Sequence, residues 1–355
     1  MACILYGVQG EGMGHALRSK PIIAHLIQKG HDVHILVGGR AYEFLRKMFD
    51  NVHEVAYMPI YYENNEVNYR KSYQDNIRRK DEWNASKKKV FSHVEKKKPD
   101  IIISDYELFS ALASQRYHIP LISIDNIHMA LIGDIAYPKK YVFGRMMAKL
   151  STLMAFLFNG GRWKADHFFI TTFFYPKQKN RKITLFPPII REEVMSTRPK
   201  EGKHILVYQT SPTYTAMFPV LKRFQKEKFI LYGFHVSKKD RNLTFKKNSK
   251  EGFLKDLASA KAVVMNGGFT LMTECLYLGK PVFSIPVKGQ FEQVINAVYL
   301  EKLGYGKFEE ELTEEHLKTF LENTDKYKKN IKRCAFDGNK KLFSALDRTI
   351  TEATG

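Results

Sequence analysis

The chain has 355 residues, of which 44% are hydrophobic, and it carries a formal net charge of +20 at pH 7. This length allows about two domains, and the hydrophobic residues can fill two cores, so global disorder is disfavoured. The three cysteines, Cys3, Cys275 and Cys334, are too few and too scattered for a disulfide framework or a zinc site. They favour a reducing, cytoplasmic compartment.

Residues Met1–Val8 lack the basic region and long apolar core of a signal peptide, and they predict a strand instead. The longest uncharged run between Tyr141 and Gly161 falls short of the ~20 apolar residues that a membrane span needs. Lysine and arginine cluster at Arg78–Lys80, Lys87–Lys89 and Lys96–Lys98. Such clusters attract nucleic acid, anionic lipid or a nucleotide substrate, or simply solvate the surface. Nucleic acid is disfavoured because no nucleic-acid motif accompanies the charge.

The N-terminal half alternates short apolar runs with helical periods. Strands are predicted at Ile4–Tyr6, Val33–Val37, Pro99–Ile103 and Pro120–Ile124, and helices at Ala16–Lys29, Ala41–Met48 and Leu108–Tyr117. Strands that alternate with helices predict a parallel, doubly wound sheet.

The proline-rich segment from Leu185 to Pro199 predicts an interdomain linker. After it the pattern restarts, with strands predicted at His204–Tyr208, Phe229–Tyr232, Ala262–Met265 and Pro281–Ile285. The predicted fold class is therefore α/β, with two Rossmann-like parallel-sheet domains facing a central cleft. We expect an N-terminal domain at 1–190, a C-terminal domain at 200–335, and a helix at 336–355 that packs back on the first. Ligands of such sheets bind beyond the carboxyl ends of the strands.

The strongest local signal is Asn266-Gly267-Gly268, which links a buried strand to a helix that stops at Gly279. The two glycines let a ligand approach the backbone, and a helix N-terminus offers amides and a positive dipole end. A diphosphate fits such a site without a metal. Taken alone, however, a Gly-Gly after a strand is more often a tight turn.

Three acidic or amide side chains extend this signal. Glu274 lies about one turn into the helix, where a carboxylate can accept both hydroxyls of a ribose. Glu292 and Gln293 follow the next predicted strand, where a sugar attached to the diphosphate would project. A lone glutamate on a helix is usually solvated, so the argument depends on the order and spacing of the set.

With these motifs, the sequence resembles the GT-B glycosyltransferases of families 1 and 28, which include plant-type UDP-sugar transferases and bacterial lipid-intermediate transferases. The resemblance is strong over Ala260–Gly306. It implies a GT-B fold and an inverting hexosyltransferase that uses a UDP-sugar as co-substrate and needs no metal or cofactor. The donor-binding residues that it implies are Thr210, Ser211, Asn266, Gly267, Gly268, Phe269, Thr270, Glu274, Glu292 and Gln293.

Two positions depart from the family pattern. Family 1 commonly has histidine where this chain has Asn266, whose amide can donate to phosphate but carries no charge. Glu292 stands where aspartate or glutamine is usual, which leaves the donor sugar open. The loop Gln209–Thr213, which contains Thr210 and Ser211, resembles the family's second phosphate-side loop only in position and small polar character.

The loop Gly10-Glu11-Gly12-Met13-Gly14-His15 joins the first strand to the first helix. Its glycine spacing differs from the G-x-G-x-x-G dinucleotide fingerprint, and the second strand ends in Gly38-Gly39 rather than in an acidic residue. The loop instead resembles the acceptor-side loop of the same glycosyltransferases, represented here by Gly12, Gly14 and Arg18. In that family the histidine is the general base, a role that imidazole suits near neutral pH.

A histidine base works best when a carboxylate fixes its tautomer. Asp105, at the end of the third predicted strand, stands where family 1 enzymes often place this partner, and Glu107 is the alternative. Asp105 is equally compatible with a helix N-cap before Leu108. The chain contains no Asp-x-Asp motif, so a metal-chelating GT-A transferase is disfavoured.

The acceptor leaves a weaker signal. Apolar residues recur at helical spacing at Phe143, Met146, Met147, Leu150, Leu153, Met154, Leu157 and Phe158. A buried core helix is the default, and an amphipathic face for a membrane or a greasy acceptor is the alternative. Tyr57–Lys98 mixes aromatic residues with lysine runs and predicts an exposed helix–loop excursion near the acceptor. Together with the charge, these segments favour a lipid-linked acceptor and a peripheral position on an anionic membrane, at its inner face.

Three functions stay open on the sequence. The first is the transferase, and the second is a nucleotide-sugar epimerase of the same architecture, which has no acceptor hydroxyl to deprotonate. The third is a catalytically silent module that binds a sugar nucleotide or a lipid. The products formed from UDP-sugars separate them, because the three yield free UDP, an epimerised donor or no turnover.

Overall fold

The computed structural model describes residues 1–158, 161, 164–247 and 249–355. The chain forms two compact units. Unit 1 consists of Met1–Ile60, Tyr69–Arg191 and Asp337–Gly355, and unit 2 of Tyr61–Asn68 and Glu192–Phe336. The main division therefore falls after Arg191, within the proline-rich segment, and the C-terminal helix belongs to unit 1. The segment Tyr61–Asn68, which the sequence places in the N-terminal half, belongs to unit 2.

The strands, in chain order, are β1 (Cys3–Val8), β2 (Asp32–Val37), β3 (Val52–Glu54), β4 (Tyr62–Glu63), β5 (Glu66–Val67), β6 (Ile101–Asp105), β7 (Leu121–Asp125), β8 (His167–Thr171), β9 (Ile183–Phe186), β10 (His204–Tyr208), β11 (Lys228–Tyr232), β12 (Lys238–Asp240), β13 (Leu243–Phe245), β14 (Ala262–Met265), β15 (Val282–Ser284) and β16 (Gly306–Phe308).

The helices are α1 (Gly14–Gln28), α2 (Gly39–Leu45), α3 (Tyr69–Arg78), α4 (Lys80–Lys97), α5 (Leu108–Tyr117), α6 (Ile127–Ile132), α7 (Val142–Phe158), α8 (Glu192–Met195), α9 (Met217–Arg223), α10 (Lys250–Ala258), α11 (Phe269–Tyr277), α12 (Phe291–Lys302), α13 (Glu314–Glu322), α14 (Thr324–Ile331) and α15 (Lys340–Thr354). A 3₁₀ turn at Lys139–Tyr141 precedes α7.

Unit 1 is built on a sheet with the strand order β3-β2-β1-β6-β7-β8-β9, in which neighbouring strands run parallel. The apolar residues of β1, β2 and β6 are almost fully buried, and they pack with α1 and α15 into one core. Burial of each such side chain contributes about 1.5–3 kcal/mol relative to exposure. The strand order reverses between β1 and β6, which makes the carboxyl ends of these two strands the switch point where ligands of open α/β sheets bind.

Unit 2 repeats this plan with the order β12-β13-β11-β10-β14-β15-β16. Its strands are parallel except for β12, which runs antiparallel to β13 at the edge. Here the order reverses between β10 and β14. The loops that follow β10 and β14 are the two loops that the sequence assigns to the diphosphate.

These observations confirm the predicted α/β class with two parallel sheets. Most predicted strands lie within one or two residues of their observed bounds, and the predicted helix at Leu108–Tyr117 is observed with the same bounds. The predicted linker is wrong at its start, because Leu185 lies within β9 and pairs with Ile170 in the sheet. After β9, within the predicted linker, α8 forms a single turn over Glu192–Met195.

Helix α7 exposes its apolar stripe. Seven of the predicted stripe residues have 38–67% of their surface exposed, namely Phe143, Met146, Met147, Leu150, Leu153, Met154 and Leu157. The side chain of Phe158, the eighth, lies outside the described residues. The default expectation of a buried core helix is therefore wrong. Within the part of the chain that the structure covers, no helix is both long and apolar enough to cross a membrane.

Candidate active site

The predicted base and its partner meet at the switch point of unit 1. His15 is the second residue of α1, directly after the glycine loop that leaves β1, and Asp105 is the last residue of β6. Val8 and Asp105 are register partners, which fixes the two strand ends side by side. His15 Nδ1 lies 2.9 Å from Asp105 Oδ1. The side chain of Asp105 is 1% exposed and that of His15 is 14% exposed, so the ring is the more accessible of the two.

Asp105 is held from several sides. Arg18 Nε donates to Oδ2 at 2.9 Å and Arg18 Nη2 to Oδ1 at 2.5 Å, which is a bidentate ion pair. Ser19 Oγ donates to Oδ2 at 3.0 Å. Burial opposes ionisation of this carboxyl, but the charge of Arg18 and the contact with His15 outweigh it and lower its pKa well below the usual range. Asp105 is therefore a fixed negative charge next to Nδ1 of the His15 imidazole.

These contacts determine the tautomer of His15. Its Nδ1 also lies 2.8 Å from Arg18 Nη2, but the guanidinium has only donors, so the two contacts compete for one ring nitrogen. Arg18 Nη2 is closer to the charged carboxylate, which is the stronger acceptor. We therefore assign the proton to Nδ1, from which it is donated to Asp105. Nε2 then carries a lone pair and can accept a proton.

Glu107 is not the partner of His15. It is the N-cap of α5, and its carboxylate accepts from the amides of Phe109 at 2.9 Å and Ser110 at 2.7 Å. Burial raises its pKa. The cap that the sequence allowed at Asp105 is thus supplied by Glu107, which leaves Asp105 for His15.

Of the other residues predicted for the acceptor-side loop, the two glycines shape the backbone and Arg18 binds Asp105. Gly12 has a φ of +75°, a conformation that favours glycine, and Gly14 begins α1. Arg18 is only 6% exposed and bonds to Asp105 and to Oδ1 of the buried Asn126, so it positions the carboxylate instead of lining an open loop. Its spacing of three residues from His15 places both on one face of α1, a signal that the sequence offered.

The donor-side loops of unit 2 meet around Asn266. This side chain is 1% exposed; its Oδ1 accepts from Thr210 N at 2.8 Å, and its Nδ2 donates to Ile285 O at 2.9 Å. Nδ2 also donates to Asn65 Oδ1 at 2.8 Å. The amide therefore ties together the loops after β10, β14 and β15. The sequence expectation that it donates to phosphate differs from this arrangement, in which both amide atoms are engaged within unit 2.

Gln293 and Asn296 fix the glycine loop. Gln293 Oε1 accepts from Gly267 N at 3.2 Å and from Val287 N at 3.0 Å, and Asn296 Nδ2 donates to Gly267 O at 2.9 Å. A Cβ on Gly267 would lie 2.4 Å from Gln293 O, so the loop requires glycine there. Asn296 Nδ2 also donates to Glu292 Oε1 at 2.7 Å, which orients that carboxylate.

The other predicted donor residues lie at the start of α11. Gly268 is its N-cap residue, and a Cβ there would meet nothing within 4 Å, so the backbone is open to a ligand at this point. Phe269 and Thr270 form the first turn. Glu274 is 2% exposed in the second turn, enclosed within unit 2. Ser211 is fully buried, whereas the side chain of Thr210 is exposed.

The structure adds a hairpin that sequence reasoning missed. Strands β4 and β5 are joined by Asn64 and Asn65, whose φ values of +49° and +62° are typical of a type I′ turn. Asn64 N donates to Thr213 Oγ1 at 2.9 Å, and Asn65, 2% exposed, donates through Nδ2 to Pro286 O at 3.1 Å. The hairpin tip thus lies against the loops after β10 and β15. The segment Tyr57–Lys98 is therefore not a single excursion on the acceptor side.

Comparison with known proteins identifies the family of the chain. The sequence profile described as glycosyl transferase family 1 matches residues 2–325. An uncharacterized glycosyltransferase of Methanosarcina mazei is 24% identical over 329 residues, which cover 86% of this chain and 85% of that protein. One from Methanosarcina acetivorans is 25% identical over 332 residues, covering 86% and 82%.

Several solved structures share the fold. The spinosyn forosaminyltransferase has a TM-score of 0.67 at 12% identity and covers 99% of each chain. The calicheamicin glycosyltransferase has a TM-score of 0.61 at 14% identity, covering 100% of this chain and 95% of that chain. A Streptomyces glycosyltransferase complexed with thymidine diphosphate has a TM-score of 0.60 at 15% identity, covering 94% and 95%. These likenesses confirm the GT-B fold class.

Proposed function

Because the chain belongs to glycosyl transferase family 1, we propose that it transfers a sugar from a nucleoside diphosphate sugar, with UDP as the nucleotide, to an acceptor hydroxyl with inversion at the anomeric carbon. The observation that carries the proposal is the 2.9 Å contact between His15 Nδ1 and the buried carboxylate of Asp105. A partly exposed imidazole on an ionised, buried carboxylate is an arrangement suited to general-base catalysis. An epimerase or a silent binding module has no acceptor hydroxyl to deprotonate.

The proposed reaction is a single displacement. Nε2 of His15 takes the proton of the acceptor hydroxyl, whose oxygen forms a bond to the anomeric carbon. The bond from that carbon to the diphosphate oxygen breaks, and the nucleoside diphosphate leaves with the electron pair. Asp105 stabilises the imidazolium that forms, and Arg18 keeps Asp105 ionised and in place.

The donor side of the proposal uses α11. Its N-terminus carries the positive end of the helix dipole beside the open backbone at Gly268, which suits a diphosphate. Glu274 is proposed for the ribose, and Glu292, oriented by Asn296, for the donor sugar. A neighbour in fold was solved with thymidine diphosphate, which supports a pyrimidine nucleotide. We propose that the nucleotide binds here without a divalent metal.

Whether the nucleotide binds without a divalent metal can be measured directly. We expect the affinity for UDP, measured by calorimetry, to be the same in EDTA as in magnesium, because the helix N-terminus supplies the positive potential. The same titration with Gly268→Asp is the matched comparison, since a carboxylate in the open space at this position should repel the diphosphate. A large loss of UDP affinity in EDTA would contradict the proposal.

The acceptor is proposed to be lipid-linked, at an anionic membrane surface. Helix α7 presents exposed apolar side chains along its length, from Phe143 to Leu157, and the exposed Lys139, Lys140 and Lys149 lie beside them. Arg145 holds the helix to unit 1, because its Nε donates to Ala130 O at 2.9 Å. An exposed apolar stripe with flanking lysines matches helices that lie in the interface of anionic bilayers.

We expect the protein to co-sediment with anionic vesicles at low salt and to be released as salt rises, because exposed charges are screened over ~8–10 Å at 0.1–0.15 M. The double variant Leu150→Gln with Leu153→Gln should lose this binding. Val236→Gln in unit 2, another exposed apolar residue, is the matched control and should keep it. Equal binding to neutral and anionic vesicles, or no effect of the α7 variant, would contradict the proposal.

The function as a whole is tested by incubating the protein with a panel of UDP-sugars and TDP-sugars and separating the products. The proposal expects free nucleoside diphosphate, with the sugar transferred or slowly hydrolysed. An epimerised donor would assign the second function considered on the sequence, and no turnover with any donor and acceptor would favour a binding module.

A further inference from the structure

Three histidines that the proposed reaction does not use converge at one edge of unit 1. His34 lies on β2, His53 on β3 and His93 on α4. Leu36 is the register partner of His53, and His34 is two residues before Leu36, so the two histidines point to one face of the sheet. His93 meets that face from α4. One ring nitrogen from each histidine lies within 4.8 Å of the others.

Each ring carries a buried nitrogen without a hydrogen-bond partner among the described residues. These atoms are Nδ1 of His34, Nε2 of His53 and Nε2 of His93. The rings also pack on one another, with centroids 4.8 Å apart for His34 and His93 and 4.3 Å apart for His53 and His93. Buried polar atoms are normally satisfied, so unpartnered nitrogens on three adjoining rings leave this cluster with lone pairs or N–H groups available to a ligand.

A carboxylate lies within hydrogen-bond distance of the His34 ring. His34 Nε2 lies 3.1 Å from Asp32 Oδ2, and Asp32 lies two residues earlier on the same face of β2. If Nε2 donates to this carboxylate, Nδ1, which has no hydrogen-bond partner among the described residues, keeps its lone pair. Histidine ligands of metals usually donate their second ring nitrogen to a carboxylate in this way.

The protonation of the other two rings is favourable to ligation. Burial, followed by the neighbouring histidines, lowers the pKa of His93 to about 4. Burial and His34 likewise lower the pKa of His53. Burial therefore favours the neutral form of both rings, which is the form that can ligate a metal.

We propose that His34, His53 and His93 bind a zinc ion that fastens α4 to the edge strand β3 and to its neighbour β2. Three neutral imidazoles are a common protein ligand set for zinc, with water in the fourth position. At Zn–N distances of about 2.0–2.1 Å, tetrahedral ligand atoms lie about 3.3 Å apart, so the rings need to close by at most about 1.5 Å. None of the three residues belongs to the His15–Asp105 network. The histidines are spread over some 60 residues, so the sequence, which predicted no metal site, offered no spacing signature.

Metal analysis of the full-length protein tests this inference. After dialysis against zinc chloride and then buffer, the wild type should retain about one zinc per chain. The variant His93→Gln, which keeps the shape of the ring edge but is a poor ligand, should lose the zinc. The variant His93→Cys, which offers a thiolate ligand in place of the imidazole, should retain it. His167→Gln, an exposed histidine on β8, is the matched control and should bind zinc like the wild type.

Two further readouts keep the test independent of activity. Zinc at ~100 times its dissociation constant should raise the melting temperature of the wild type by about 5–10 °C and leave that of His93→Gln unchanged. Cobalt should give the intense visible absorption of a tetrahedral site in the wild type only. Zinc retention by His93→Gln equal to that of the wild type, or no retention by the wild type, would overturn the proposal and leave the three rings as packed core histidines.

Discussion

Replacing His15 with alanine should lower kcat by about 10²–10⁴ and leave UDP affinity nearly unchanged. The reason is that the ring contributes a proton acceptor to the transition state, while the nucleotide is assigned to residues of unit 2. Steady-state kinetics with the true acceptor and calorimetry with UDP measure the two quantities separately. His118→Ala, an exposed histidine at the end of α5, is the matched control and should keep full turnover.

The carboxylate beneath the ring gives this prediction a second test. Asp105→Asn should also lower kcat, because an amide can donate to Nδ1 and select the tautomer that has no lone pair at Nε2. The double variant should be little worse than His15→Ala alone, because the two residues act as a unit. Since Asp105 also neutralises the buried Arg18, the melting temperature of each variant must be measured beside the rates. Near-full turnover of His15→Ala would refute the assignment of the base.

Replacing Glu274 with glutamine should weaken UDP binding by about 10- to 150-fold. A hydrogen bond to a charged group contributes about 1.5–3 kcal/mol, and the carboxylate is proposed to accept from the ribose hydroxyls. The residue is 2% exposed, and the glutamine variant keeps its size, so unit 2 should still fold. Calorimetry with UDP and with uracil alone separates the ribose contribution from that of the base.

Glu292→Gln is the matched comparison for the donor site. Because Glu292 is proposed to contact the sugar, this variant should bind UDP like the wild type and bind the UDP-sugar more weakly. Equal UDP affinity of Glu274→Gln and the wild type would place the ribose elsewhere. Loss of UDP affinity in the Glu292 variant would instead assign that carboxylate to the nucleotide.

The sequence predicted much of the fold because buried parallel strands leave a local signature. Continuous apolar runs such as His204–Tyr208 and Ala262–Met265 are observed as strands with the predicted bounds. Short strands such as β3, with three partly exposed residues, carry no comparable signal. Periodicity also does not show what covers a helix, which is why the apolar stripe of α7 was expected in a core and is exposed.

The sequence also predicted only some of the side-chain contacts in the candidate site. The meeting of His15 with Asp105 follows from two strand ends at a switch point, which topology and the family resemblance both indicate. The hydrogen bonds of Asn266 could not be predicted in this way, because one of its partners is Asn65, which is about 200 residues away in the chain. That hairpin joins unit 2 by tertiary contacts alone. The proposed donor roles of Glu274, Glu292 and Gly268 stay predictions until a ligand is bound.

The anomeric configuration of the product tests the central claim most directly. Proton NMR can follow a reaction with an α-linked UDP-sugar from its first minutes, before any mutarotation of free sugar. An inverting single displacement with His15 as the base predicts a β-linked product from the wild type, with release of UDP, and a rate lower by about 10²–10⁴ for His15→Ala. An α-linked product, or an unchanged rate for that variant, would contradict it.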